Sequence, residues 1–207
     1  MLFYALSTNA GEALTMIGSL LIGIPLPLVP VQILWINLVT DSALIIPIGL
    51  EPANGHIMKQ KPSAPNAPIL KKNHIFRMVW VAVLMAIMSI ATYISYHKKL
   101  GPDGARTLTF TLLTITQWAN AMNSRNLEES IFKKGSKAFN GKFWAGMGIA
   151  VFLQVLAIFT PLSEMLHVSP VPLEDLAFIT LVGLIAPIAL VETHKFFDNL
   201  INKRFEK

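Results

Sequence analysis

Charge is scarce in this chain, and cysteine is missing altogether. Charged residues make up 14% of the sequence, against about 25% in soluble domains, too few to cover an ordinary globular surface. Without cysteine there is no disulfide framework, thiolate zinc site or cysteine nucleophile. No Walker-type phosphate loop occurs. The histidines, His56, His74, His97, His167 and His194, are scattered without ligand spacing, so neither a metal cluster nor a Ser/His/Asp triad is read from them. What remains is apolar: 53% hydrophobic residues and a mean hydropathy of +0.55. That content excludes disorder and points to several membrane spans, each needing ~20 residues.

The few charges are clustered, and the gaps between them outline the architecture. Residues 1–11, 13–40, 78–97, 107–124, 143–163 and 176–191 carry none. The 13–40 run is too long for one span, and Pro25, Pro27 and Pro30 interrupt it, because proline cannot continue a helix interior. The pattern predicts an all-α polytopic membrane bundle with six transmembrane helices, at about 2–23, 30–50, 76–97, 107–125, 143–162 and 174–194. We read 1–207 as a single transmembrane domain with one substantial loop, 51–75. Pro52, Pro62, Pro65 and Pro68 keep that loop extended.

Lys and Arg set the orientation. All but three of the 17 basic residues fall in 51–77, 125–142 and 193–207; the exceptions are Lys98, Lys99 and Arg106. The positive-inside rule then puts both termini in the cytoplasm of a multi-pass protein, expected in the cell membrane. Basic residues at membrane ends also meet lipid headgroups. No basic face interleaved with aromatics supports nucleic-acid binding. The chain enters an apolar run at Met1-Leu2-Phe3-Tyr4 without a basic segment or a small-residue cleavage site. It does not read as a signal peptide and is expected to be a portion of something longer.

Two acids lie well inside predicted spans, Glu12 in the first and Asp41 in the second. An ionised carboxylate at mid-membrane costs at least ~2.5 kcal/mol, and such groups face cavities or partners. No Lys or Arg occurs in residues 1–58, so a cation from outside the chain, or a proton, is the obvious counter-charge. Asn9 and Glu12 are three apart and share a helix face, as do Asn37, Thr40 and Asp41. Carboxylate, amide and hydroxyl oxygens of this kind suit hard cations such as Ca²⁺. Gly11 and Pro47 are expected sites of local helix irregularity. On the fourth predicted helix, Gln117, Asn120 and Ser124 form one stripe, and Gln117 offers a neutral ligand. For the neutral residues, including the lone Gln154, hydrogen bonding between helices is the competing reading.

Ser7-Thr8-Asn9-Ala10-Gly11-Glu12, followed by Pro25-Leu26-Pro27 and Trp35-Ile36-Asn37-Leu38-Val39-Thr40-Asp41, then Gly49-Leu50-Glu51-Pro52 and Asn120-Ala121-Met122-Asn123-Ser124, resembles the C-terminal six-span domain of P-type cation ATPases. The nearest group is the calcium pumps of the sarco/endoplasmic-reticulum and bacterial kind. The resemblance implies that Asn9, Glu12, Asn37, Thr40 and Asp41 match cation ligands, with Asp41 at the position shared by two calcium sites. Where two-site pumps carry a carboxylate, this chain has Gln117, so we expect one calcium per cycle. Ser42-Ala43-Leu44 replaces the family's Gly-x-Pro pattern. Sodium/potassium pumps usually carry an acid where Asn37 stands, which favours calcium.

The resemblance also implies partners. The family's first four spans and its actuator, phosphorylation and nucleotide-binding domains are not in this chain. ATP and magnesium would act only through them, and the chain alone has no means of hydrolysing ATP. Two other readings stay open: an orphaned, non-enzymatic membrane protein that has lost transport, and a sodium or proton pump domain.

Overall fold

The structure, a computed structural model, describes residues 1–51, 70, 72–125 and 140–205, with side chains through Phe196. Most of the expected 51–75 loop lies outside the described residues. The elements are α1 (Leu2–Ile22), α2 (Pro30–Trp35), a π-helical turn (Ile36–Asp41), α3 (Ser42–Gly49), α4 (Lys72–Ser124), α5 (Gly141–Phe159), the short α6 (Leu162–Met165) and α7 (Leu173–Phe205). No strand occurs among the described residues.

Local chemistry explains where the helices stop. Gly23 sits at φ 77°, ψ 24° and closes α1 with bonds from the Gly23 amide to Leu20 O and from the Ile24 amide to Ser19 O, each 3.1 Å. That is a Schellman cap, which favours glycine at the left-handed position. Pro30 opens α2 at a position whose N–H needs no partner. The predicted helices 76–97 and 107–125 both fall within α4, which Gly101 divides with φ 74° and ψ −179°. Pro102 follows and starts the second arm. The break is thus confined to one residue, where the charges had suggested a longer loop over 98–106. At the other end, α7 continues to Phe205, past the expected boundary near 194.

α4 is the centre of the bundle. α1 packs along it on one side and α7 on another, while α3 packs on α5. One apolar cluster includes Leu28, Ile36, Met85, Phe110 and Leu113. A second includes Tyr4, Leu44, Ile48, Trp118, Phe143 and Met147. Large apolar side chains such as Leu21, Ile87, Phe152 and Ile185 lie exposed on the outside. Exposure on this scale is a liability in water and suits lipid. Four segments are long and apolar enough to cross a membrane: Pro30–Gly49, Lys72–Ser124, Gly141–Phe159 and Leu173–Phe196. α1 is as long, but Asn9, Glu12 and its hydroxyl residues dilute its apolarity, and it is not among the four. The fold is an all-α membrane helical bundle.

Proline and glycine set the α3–α5 contact. Pro47 lies inside α3 and cannot bond to the carbonyl four residues back, that of Ala43. Gly146 of α5 meets this point: a Cβ there would lie 2.4 Å from Ala43 O and 2.5 Å from Pro47 Cγ. Neither backbone nor proline ring yields cheaply. Gly146→Ala is expected to cost about 1–3 kcal/mol by overpacking. Thermal unfolding of the purified protein in detergent checks this; an unchanged midpoint would contradict the packing.

A candidate cation site between three helices

Sequence reasoning expected irregularity at Gly11 and Pro47; Pro47 does break one helical bond inside α3, but the widest departure lies elsewhere. Gly11 lies in uninterrupted α-helix. The widened turn is Ile36–Asp41, the segment that carries Asn37, Thr40 and Asp41. A π turn inserts a residue into the helical repeat and often marks a functional position. It also rotates the following residues about the axis, so the one-face reading of 37, 40 and 41 does not follow ideal spacing here. Thr40 and Asp41 are buried and Asn37 is half-buried.

α1 and the π turn are held by two side-chain bonds. The Tyr4 hydroxyl donates to Asp41 Oδ1 at 2.8 Å, and Asn37 Nδ2 donates to Glu12 Oε2 at 2.9 Å. Asn37 Nδ2 also reaches Ile33 O at 3.0 Å. From α4, Gln117 Nε2 donates to Glu12 Oε1. Each Glu12 oxygen is therefore met by an amide from a different helix. The carboxylates remain buried, Glu12 at 5% exposure and Asp41 at 4%, which only such donors or a bound cation make tolerable.

The structure thus brings Glu12, Asn37 and Gln117 into one hydrogen-bonded cluster and sets Thr40 and Asp41 in the adjoining turn. Asn9 is not with them: it lies on the exposed side of α1. Tyr4 is a partner that sequence reasoning missed. Its signal was present, since Tyr4 precedes Thr8 and Glu12 by one and two turns on the same helix. A second tie was also missed, Asn120 Nδ2 to Ser7 Oγ at 2.7 Å. Ser124, placed on the same stripe, bonds back to Asn120 O at 2.6 Å.

The chemistry of the cluster is that of oxygen. Among the described residues no three His, Asp or Glu side chains converge, so a cation here draws on amide, hydroxyl and backbone oxygens beside the two carboxylates. The buried Gln117 Oε1 and Asn120 Oδ1 have no hydrogen-bond partner among the described residues. Asn37 and Gln117 now offer nitrogen to Glu12. A half-turn of each terminal amide would present oxygen instead, since the two ends of an amide are nearly the same shape. The residues fit a hard cation.

The surrounding ties are structural. Buried Arg125 pairs with buried Glu51, joining the end of α3 to the end of α4, and its guanidinium lies 4.1 Å from the Phe143 ring centroid. At the opposite end, Lys99 Nζ meets Asp175 Oδ1 at 2.7 Å and Gln32 Nε2 donates to Leu166 O at 3.1 Å. On α7, Glu192 pairs with Lys195 at 3.0 Å.

Comparison with known proteins identifies the family. Residues 25–197 match the family model described as cation transporting ATPase, C-terminus. The calcium-transporting ATPase of Bacillus subtilis is 31% identical over 170 residues, which cover 79% of this chain and 18% of that protein. Calcium-transporting ATPase 1 of Bacillus cereus is 27% identical over 213 residues, covering 94% and 24%. Calcium-transporting ATPase 4, endoplasmic reticulum-type, of Arabidopsis thaliana is 26% identical, covering 66% and 13%. The chain spans less than a quarter of the length of these relatives.

Proposed function

The chain belongs to the P-type cation-transporting ATPases, as their C-terminal membrane domain, and on that premise we propose that it supplies the intramembrane ligands of a calcium pump. Glu12 on α1 and Asp41 on the π turn are the charged ligands. Asn37, Thr40 and Gln117 add neutral oxygens. The observation that carries this reading is the pair of buried carboxylates in a stretch of chain with no Lys or Arg before residue 59. Calcium takes 6–8 oxygens at about 2.3–2.6 Å, a number these five side chains reach only where a carboxylate binds through both of its oxygens. Asn9, exposed on α1, supports a site completed by another segment of a longer protein.

In this reading the domain crosses the membrane six times, with α1 as the first crossing and the two arms of α4 as two more. Both termini and the 51–75 loop face the cytoplasm of the cell membrane, following the excess of Lys and Arg there. ATP hydrolysis, with its magnesium, belongs to the actuator, phosphorylation and nucleotide-binding domains of the longer protein. The relatives' greater length supports that division.

Gln117 makes the reading specific. An amide brings no negative charge, so Glu12 and Asp41 together balance one divalent ion. Transport by the full-length pump in sealed vesicles is expected to move one calcium per ATP. A ratio of two would remove Gln117 from the argument, and transport driven by sodium in place of calcium would favour the sodium reading. A full-length protein that moves no ion would favour the orphaned one.

A further inference from the structure

Away from the candidate site, one buried feature of α4 has no partner. Ser89 and Tyr93 are 0% exposed, yet Ser89 Oγ, Tyr93 Oη and His97 Nδ1 are buried atoms without a hydrogen-bond partner among the described residues. Their four-residue spacing places them on one stripe, rising ~6 Å per step. An unpaired buried polar group costs about 1–3 kcal/mol, and native structures hold few of them. Three in succession form a line rather than an isolated defect.

The neighbour along this line is α1. A Cβ on Gly11 would lie 3.1 Å from Met85 Cβ, and one on Gly18 would lie 2.8 Å from Ile90 Cδ1. Residue numbers rise together between these contacts, so α1 and the first arm of α4 run parallel and close. Thr15 and Ser19, both 0% exposed, follow Gly11 by one and two turns, as Ser89 and Tyr93 follow Met85. Thr15 donates to Gly11 O and Ser19 to Met16 O, each at 2.8 Å, which leaves their lone pairs able to accept. The groove toward α7 uses a different face, with Met88, Thr92 and Lys99. His97 is half-buried beside exposed Lys98, and its ring lies 5.4 Å from that of Tyr93. The line therefore leads from the accessible Lys98 end of the arm to Thr15, one turn from Glu12.

We propose that this stripe binds a file of ordered water between α1 and α4, an aqueous route from the Lys98 end of the bundle to the turn beside Glu12. Water is the ligand that these atoms select. They are neutral hydroxyls and an imidazole able to donate and accept, and the stripe has no carboxylate for a metal. A buried water typically makes about three hydrogen bonds. Two bonds of about 2.8 Å span a ~6 Å step with one water. The route does not depend on which cation Glu12 and Asp41 hold.

The test is hydroxyl-radical footprinting of the full-length protein in ¹⁸O-labelled water, with radicals generated in place by X-rays so that bound waters act as the source. Tyr93 is expected to take up solvent oxygen several-fold faster than Phe110, which is equally buried at 0% exposure, after correction for intrinsic reactivity. Equal rates would overturn the proposal. Tyr93→Phe gives a second reading. If water satisfies the hydroxyl, its loss lowers the melting temperature; a rise or no change would mean a dry, unpaired hydroxyl and count against the file. Loss of calcium transport in a Glu12 or Asp41 variant touches neither readout, so either account can fail alone.

Discussion

Asp41→Asn is expected to abolish calcium-dependent activity of the full-length pump while leaving its fold in place. The substitution is nearly isosteric. Asn keeps an oxygen where Asp41 Oδ1 accepts the Tyr4 hydroxyl at 2.8 Å, so the tie between α1 and the π turn survives. What is lost is half of the negative charge facing a divalent ion in a buried site, where no Lys or Arg of residues 1–58 had offset it. Removing one partner of a buried charge pair costs about 2–5 kcal/mol, roughly 30-fold or more in affinity. Tyr4→Phe is the companion control. It removes the hydroxyl but keeps the charge, so it is expected to retain calcium dependence with lowered stability. If Asp41→Asn keeps wild-type calcium dependence in ATP hydrolysis, Asp41 is not a ligand.

The second large effect is on stability. Arg125→Met is expected to destabilise the protein by about 3–5 kcal/mol, because Glu51 is left as a buried charge without its counter-ion. Both side chains are 6% exposed, so water does not screen the loss. The stacking of the guanidinium on Phe143 goes with it, which adds to the cost. The pair also joins the end of α3, which continues the π turn, to the end of α4, which carries Gln117. Pairing Arg125→Met with Glu51→Gln is expected to recover a substantial part of the stability, since no charge is then stranded. Thermal unfolding of the single and double variants measures this. A double variant no more stable than Arg125→Met alone would show that the cost lies in packing rather than in the stranded charge.

The sequence was informative where physics acts locally. Gaps between charges mark helices because a charge inside lipid is costly, and α1 and α5 follow those gaps closely. Gly23 and Pro30 mark helix ends because their backbone preferences are strong. Glu12 and Asp41 stood out for the same reason as the gaps: they are the exceptions within them. Other features had no local signal. Nothing in Ile36–Asp41 announces a π turn, which meets α4 and α5 and is tied to α1 by the bonds of Tyr4 and Asn37, contacts that no local pattern encodes. The Gly101 corner was read as a longer loop because Lys98, Lys99, Asp103 and Arg106 are charged, but those charges lie within helix on either side of a one-residue break. Asn9 was grouped with Glu12 by spacing as well as by the family resemblance. Their three-residue offset leaves an angle wide enough for one to be buried and the other exposed, and only the position of the neighbouring helices decides which.

The central claim is that Glu12, bridged to α2–α3 and to α4 through Asn37 and Gln117, is part of a calcium site. Equilibrium binding of radioactive calcium to the full-length pump, wild type against Glu12→Gln, tests it most directly. Glutamine keeps the length of the side chain and an oxygen for the amide donors, so the bundle is expected to remain folded. The account predicts one bound calcium per wild-type pump and none at the same free concentration in Glu12→Gln. Undiminished calcium binding by a folded Glu12→Gln pump would contradict it.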